Sequence, residues 1–191
     1  IFQLHTRVTT MSTQPKPRIG HVAIFVRDIE KMRAFYTDVL GFTVTDEGPH
    51  PVASSLMVFM SSNPQEHHEF VLVEGRPQDA SYSPAQQISF YVDNLDHLRT
   101  LRDRLVAEGI EIDRYANHGN ALSFYFFDPD GNYLELYVHT PWYIPQPHGV
   151  AYDLGLPSEE ILRQVEEHCR QGPGFMMEAD RQSKAQQTML G

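Results

Sequence analysis

The feature that most constrains the fold is an internal repeat of strand and helix signals. Each copy begins with an apolar strand, and a cap residue (Asp28 or Asn94) then precedes a helix with apolar residues at helical spacing. His21 stands seven residues before the first cap, and Gln87 stands seven residues before the second. The sequence therefore predicts two β-α-β-β-β modules, with His21 and Gln87 at equivalent positions.

Composition limits the classes of function that the chain can serve. Its 191 residues, 41% of them hydrophobic, are enough for one domain or for two small modules that share a core. The net charge of −10 and a pI near 5.4 argue against a nucleic-acid partner. No apolar run is long enough to predict a membrane span. The single cysteine, Cys169, excludes an internal disulfide framework and favours a cytoplasmic location.

Less regular segments flank the predicted modules. Met11-Ser12-Thr13 is typical of a natural start, so residues 1–10 are interpreted as a vector-derived remnant or an upstream extension. The C-terminal helix is free to dock on its own sheet or on a second subunit. The predicted divisions are a flexible segment 1–17, modules 18–80 and 81–140, a Pro-rich connector 141–157, a helix 158–172 and a flexible tail 173–191.

One hairpin carries an unusual acid. The stretch SFYFFDPDGNYLELY, residues 123–137, predicts two antiparallel strands around a tight turn that contains Pro and Gly. Alternation places Glu135 between Tyr133 and Tyr137 on one face of the second strand. An acid is rarely buried without a partner, and a metal ion is one possible companion. A half-exposed, solvated strand is the alternative.

Strand parity predicts a meeting point for three polar side chains. If each helix packs on one face of its sheet, His21, Gln87 and Glu135 point into a cleft between the modules, with Tyr125 beside them. Imidazole, carboxylate and amide donors suit Fe(II), Mn(II), Zn(II) or Ni(II). The predicted fold is therefore α+β, with two paired βαβββ modules that form a curved, barrel-like sheet and a central cleft, plus a C-terminal helix. A satisfied core histidine and a hydrogen-bonded glutamine are the alternatives for the first two residues.

Two motifs resemble the vicinal oxygen chelate superfamily, which includes type I extradiol dioxygenases, glyoxalase I, methylmalonyl-CoA epimerase and the fosfomycin and bleomycin resistance proteins. They are GHVAIFVRD followed by FYTDVLGF, and FYFFDPDGNYLELY, of which the last looks most like an extradiol dioxygenase. The resemblance implies that His21 and Glu135 bind Fe(II) or Mn(II). It also implies that His68 is an acid–base catalyst, that Tyr125 bonds a substrate oxygen and that His118 supports the metal site.

The chain departs from that family pattern at Gln87, where a dioxygenase has its second metal-binding histidine. Glyoxalase-type sites do use glutamine, together with carboxylates from both modules, and Glu69 is a possible fourth ligand in that scheme. Strand parity lets only one of Glu69 and His68 face inward, and the dioxygenase pattern favours His68. The alternative for His67 and His68 is that both are solvated loop residues without a catalytic role.

Three functions follow as hypotheses. The first is an Fe(II)-dependent enzyme that cleaves a catechol-type aromatic ring with dioxygen, a substrate that suits the aromatic residues predicted to line the cleft. The second is a glyoxalase- or epimerase-like enzyme with a non-redox metal, and the third is a metal-free protein that binds a small molecule. A homo-oligomer is possible in each case. The predicted aromatic lining is Phe25, Tyr91, Tyr125, Phe127, Tyr133 and Tyr137.

Overall fold

The structure is a computed structural model that describes residues 17–190, so nearly all of the predicted segment 1–17 lies outside the described residues. The first module contains β1 (Val22–Val26), α1 (Ile29–Ala34), a π-helical turn (Phe35–Val39), β2 (Thr43–Pro49), β3 (Leu56–Ser61) and β4 (Phe70–Glu74). The second contains β5 (Ile88–Val92), α2 (Leu95–Ala107), β6 (Ile112–Asn117), β7 (Ala121–Phe127) and β8 (Tyr133–His139). The C-terminal region contains β9 (Trp142–Tyr143), α3 (Ser158–Gln171), β10 (Met176–Met177) and α4 (Glu178–Leu190).

The two modules have the same sheet topology. Strand order is β1-β4-β3-β2 in the first sheet and β5-β8-β7-β6 in the second. In both sheets the first strand pairs in parallel with the last one, and the other pairs are antiparallel. The predicted pair of βαβββ modules is therefore confirmed.

The helix boundaries follow the predicted capping signals. The Asp28 carboxylate accepts a hydrogen bond from Lys31 N at 3.0 Å, and the Asn94 side chain accepts one from His97 N at 2.9 Å. Gly41, at φ +84°, follows the first helical segment and supplies the left-handed conformation that ends it. The first helix is nevertheless not uniform, because its second half widens into the π-helical turn.

Aromatic side chains join the two modules into one core. The ring of Phe90 lies 5.3 Å from Phe42 and 6.4 Å from Tyr36, measured between centroids. The Tyr36 hydroxyl donates a hydrogen bond of 3.1 Å to the buried carboxylate of Asp128 in the β7–β8 turn. These contacts come from the helix-bearing sides of the modules, so those sides face each other.

The opposite faces of the two sheets are open. Phe25 on β1 is 64% exposed and Tyr91 on β5 is 67% exposed, and His21 and Gln87 lie on the same two faces. The predicted parity of these strands is correct, and the two sheets remain separate and do not form a closed barrel. The modules pack through their helical sides instead.

The C-terminal region packs on its own chain. The helix α3 buries Ile161, Val165 and Cys169, and β10 pairs with β9. The tail predicted to be flexible contains α4, whose first backbone N–H, at Glu178, donates to Pro141 O at 2.9 Å. None of the helices in the described part of the chain is both long and apolar enough to cross a membrane.

Candidate active site

Glu135 is the centre of a hydrogen-bonded cluster on the open face of the second sheet. The residue is only 7% exposed, and both carboxylate oxygens accept short hydrogen bonds. The Tyr125 hydroxyl donates to Oε1 at 2.6 Å, and the Ser89 hydroxyl donates to Oε2 at 2.6 Å. Gln87 Nε2 also donates to Oε2, at 3.1 Å. The buried charge is therefore satisfied by three neighbours.

Sheet register explains why these side chains meet. Glu135 lies on β8, where it is paired with Tyr125 on β7 and with Ser89 on β5. Directly paired residues of neighbouring strands project on the same side of a sheet. Gln87 immediately precedes β5 and is two residues from Ser89, so it reaches the same face.

The protonation states of the central pair follow from their surroundings. Burial acts to raise the pKa of the Glu135 carboxyl, but hydrogen bonds from His118, Ser89 and Tyr125 outweigh it and lower the pKa to about 2. Burial, together with the hydrogen bond to Glu135, raises the pKa of Tyr125 to about 12. At neutral pH, Glu135 is therefore ionised and Tyr125 retains its proton.

His118 connects the cluster to the connector. Its Nδ1 lies 2.6 Å from His148 O, so Nδ1 carries a proton and donates to this carbonyl. Its Nε2 lies 2.9 Å from the Tyr125 hydroxyl and 3.5 Å from Glu135 Oε1. The interaction with Glu135 raises the pKa of His118, because the carboxylate favours the charged imidazolium. When Tyr125 donates to Glu135, the imidazolium can donate to the Tyr125 oxygen.

The cluster forms the floor of an open cleft of about 460 Å³. Arg114 lies over the Tyr125 ring, with its guanidinium carbon 4.1 Å from the ring centroid. Of the aromatic residues predicted to line the cleft, Tyr125 and Tyr137 do so, whereas Phe127 lies in a separate groove. Part of the connector forms one wall, contributed by Gln146, Pro147 and His148.

A second cluster lies at the open face of the first sheet. The rings of His21 and His68 are 4.3 Å apart, and His68 Nδ1 lies 2.8 Å from His67 Nδ1. Burial and the nearby His21 and His67 lower the pKa of His68, which favours its neutral form. Glu69 bonds elsewhere, since its Oε2 accepts from the hydroxyls of Ser61 and Ser62 at 3.1 and 2.8 Å. His68, and not Glu69, is therefore the neighbour of His21.

The predicted metal ligands are divided between these clusters. Gln87 and Glu135 are in contact, but the contact made by the His21 ring is with His68. Among residues 17–190, no three or more His, Cys, Asp or Glu side chains form a group that could hold a metal ion. The structure thus brings Gln87 together with Glu135 and His21 together with His68, on the open faces of two modules that pack through their helical sides.

Two residues at the Glu135 cluster were not predicted from the sequence. Ser89 could have been found, since it has the same strand parity as Gln87 and pairs with Glu135. Arg114 could not, because β6 has a register shift between Ile112 and Arg114 that breaks simple alternation.

Comparison with known proteins assigns the chain to a family. Residues 18–136 match the family model described as the glyoxalase/bleomycin resistance protein/dioxygenase superfamily, which is more than half of the chain. The chain belongs to this superfamily. The matched residues contain both side-chain clusters, the whole first module and the second module up to the middle of β8.

Relatives within the superfamily differ in the reactions that their names describe. Biphenyl-2,3-diol 1,2-dioxygenase 2 of Rhodococcus globerulus is 28% identical over 154 residues, covering 72% of this chain and 77% of that protein. Glutathione transferase FosA of Serratia marcescens is 31% identical over 123 residues, covering 63% and 79%. The structure of the fosfomycin resistance protein FosX of Listeria monocytogenes, in complex with Mn(II), has a TM-score of 0.51 and 20% identity, covering 66% and 95%. Superfamily members thus include metal-binding proteins and dioxygenases.

Proposed function

We propose that the chain is a metal-dependent enzyme of the ring-cleaving dioxygenase type, with a catechol-type aromatic substrate and dioxygen. The single observation that carries this proposal is the Tyr125–Glu135 pair, with His118 in contact with both, at the floor of an open cleft. A buried, ionised carboxylate next to a protonated phenol provides a metal ligand and a hydrogen-bond donor at one place. The 28% identity to a biphenyl-2,3-diol dioxygenase supports the same reaction class.

The donor set is completed, in this proposal, by a second copy of the chain. Gln87 and Glu135 of one copy and His21 of the other supply an amide oxygen, a carboxylate and an imidazole. Both open faces carry large exposed aromatic side chains, Phe25 and Tyr91, which a second copy would cover. Fe(II) is the first candidate ion, and Mn(II), Zn(II) and Ni(II) fit the same donors. When bound, the ion would hold both oxygens of the diol and lower their pKa.

The chain's own residues have separate tasks in this proposal. Tyr125 donates a hydrogen bond to a substrate oxygen at which negative charge develops. His118 supports Tyr125 and holds a proton at Nε2. His68, whose pKa is lowered by burial and by its histidine neighbours, is suited to accept a proton in its neutral form. Tyr137 and Arg114 line the walls that would hold a flat ring.

A second candidate is favoured by one specific observation, the identity of Gln87. An amide in place of an imidazole makes the site harder and less suited to Fe(II) redox chemistry. A glyoxalase- or epimerase-like enzyme would use a non-redox metal with Gln87 and Glu135 and move a proton next to a carbonyl. The similarity to FosA, which is named a glutathione transferase and not a dioxygenase, supports a reaction other than ring cleavage.

The experiment measures metal content first and reaction type second. Protein purified without chelators is analysed for metal, reconstituted with Fe(II) under anaerobic conditions, and then given a catechol and oxygen. Oxygen uptake with a yellow ring-fission product, absent in Glu135→Ala, supports the dioxygenase proposal. Turnover of a thiohemiacetal or an acyl-CoA with Ni(II) or Zn(II), without oxygen uptake, supports the second candidate. Protein without stoichiometric metal and without either activity leaves a small-molecule binding protein.

A further inference from the structure

Two histidines, His148 and His168, lie close together outside the floor of the cleft. His148 belongs to the connector, and His168 lies twenty residues later on α3. Their Nε2 atoms are 3.1 Å apart, and their ring centroids are 5.1 Å apart. Neither residue has a role in the proposed reaction.

The spacing of these nitrogens fits two ligands of one metal ion. With metal–nitrogen bonds of about 2.0–2.1 Å, two imidazole nitrogens on one ion lie about 2.9 Å apart at a right angle and about 3.3 Å apart at the tetrahedral angle. The observed 3.1 Å lies between these values. We propose that His148 and His168 bind a divalent transition-metal ion, of which Zn(II), Ni(II) and Cu(II) suit imidazole best.

The surroundings of the pair fix the backbone at both residues and favour the neutral form of His148. The His148 backbone is fixed on both sides, since its N–H donates to Gln146 Oε1 at 3.0 Å and its carbonyl accepts from His118. His168 is fixed by the regular backbone of α3. Burial, His168 and His118 all lower the pKa of His148, so its imidazole is held in the neutral form that binds metal.

There is room beside the pair for the remaining ligands. His168 also lines a groove of about 200 Å³ between the connector and α3. Gln164 lines the same groove and offers a side-chain oxygen. Water, together with the Gln164 oxygen, can therefore complete the coordination of an ion held by two imidazoles.

Such an ion would tie the wall of the cleft to the C-terminal helix. His148 lines the cleft and contacts His118 through its carbonyl, whereas His168 is anchored in α3. A bound ion would cross-link the connector and α3, and the hydrogen bond from His118 to the His148 carbonyl would connect it to the proposed catalytic centre. The pair is thus a structural metal site, and its existence does not depend on the proposed function.

Titration with Zn(II) tests the site directly. The Glu135→Gln background removes the other expected centre, so the ions that are counted belong to the histidine pair. In this background, equilibrium dialysis is expected to give one bound Zn(II) per chain, with affinity at least about tenfold weaker after His168→Gln or His148→Gln. His97→Gln is the matched control, because His97 is an exposed helical histidine that already has a carboxylate neighbour, Asp93 Oδ2, at 3.5 Å.

Histidine NMR signals provide a second readout that does not require the variants. Zn(II) added to the unmodified chain is expected to shift the ring signals of His148 and His168 together and to raise the melting temperature. Equal Zn(II) affinity in the His168→Gln and His97→Gln proteins would overturn the proposal. So would unchanged His148 and His168 signals at saturating Zn(II), since the pair would then be only an imidazole–imidazole hydrogen bond.

Discussion

The Tyr125 hydroxyl lies 2.6 Å from Glu135 Oε1, and His118 Nε2 lies 2.9 Å from the same hydroxyl. This relationship joins a buried carboxylate, a phenol and a half-buried imidazole in one short chain of hydrogen bonds. The pKa directions agree with it, because the pKa of Glu135 is lowered while those of Tyr125 and His118 are raised. At neutral pH, Tyr125 therefore keeps its proton next to the ionised carboxylate of Glu135, which is the candidate metal ligand.

Removing the Tyr125 hydroxyl tests its proposed catalytic role. The Tyr125→Phe protein is expected to keep its metal and to lose on the order of 10²-fold in kcat, with a small change in KM, because the hydroxyl acts on developing charge. Tyr133→Phe is the control, since Tyr133 stacks on Tyr125 at 5.3 Å but bonds to Asp113. Loss of metal along with kcat would show that Tyr125 only supports Glu135.

Ser89→Ala tests the hydrogen bonds that satisfy Glu135. The substitution removes a 2.6 Å hydrogen bond to a buried carboxylate, so the free energy of unfolding is expected to fall by about 1–2 kcal/mol. Ser183→Ala is the control, because that exposed hydroxyl bonds only to a carbonyl of its own helix, Ala179 O. Urea unfolding measures both variants, and equal values would contradict the importance of Ser89.

The pH dependence of stability tests the charge on Glu135. Its folded-state pKa of about 2 lies below the ordinary value of 4.5, so its stabilising contribution is present above pH 4.5 and is lost as the pH falls toward 2. The stability difference between the metal-free wild type and Glu135→Gln should therefore shrink across this window. The raised pKa of His118 has the opposite sign, so its contribution is present below 6.5 and is lost as the pH rises through the folded-state value. A difference that does not change with acid pH would contradict the lowered pKa.

Gly119→Ala tests the contact between the His118 loop and the connector. An added Cβ would lie 2.6 Å from Ile144 Cγ1, and the residue has φ +80°. Gly131 has nearly the same φ, +79°, but nothing within 4 Å of an added Cβ. Gly131→Ala is thus expected to cost about 1–2 kcal/mol from the backbone alone, and Gly119→Ala about 1–3 kcal/mol more. Equal losses of stability in Gly119→Ala and Gly131→Ala, measured by thermal unfolding, would mean that Ile144 moves away without an energetic cost.

Local chemistry made much of the fold predictable from the sequence. The caps at Asp28 and Asn94, the stop at Gly41 and the turn before Tyr133 all depend on a few neighbouring residues, and each appears where it was predicted. The meeting of Gln87 with Glu135 followed from alternation within one module.

The pairing of the modules could not be predicted in the same way. Phe90 and Tyr91 are adjacent aromatic residues on opposite faces of β5, and alternation alone does not say which face meets the other module. The choice depends on how Phe90 packs with Phe42 and Tyr36, which are distant in sequence. The C-terminal tail likewise makes tertiary contacts with residues distant in sequence, among them the hydrogen bond from Glu178 N to Pro141 O and the pairing of β10 with β9.

The most direct test of the account is a mixed dimer of His21→Ala and Glu135→Ala chains, isolated with two different affinity tags. If the metal centre takes His21 from one copy and Glu135 from the other, the mixed dimer keeps one intact site and should bind about one metal ion, whereas a wild-type dimer binds about two. Each variant alone should bind none at this centre, and His168→Gln is included in every chain, the wild-type reference among them, so that the pair of His148 and His168 adds no metal to these counts. A mixed dimer without metal, beside a wild type that binds it, would contradict a centre shared between two copies.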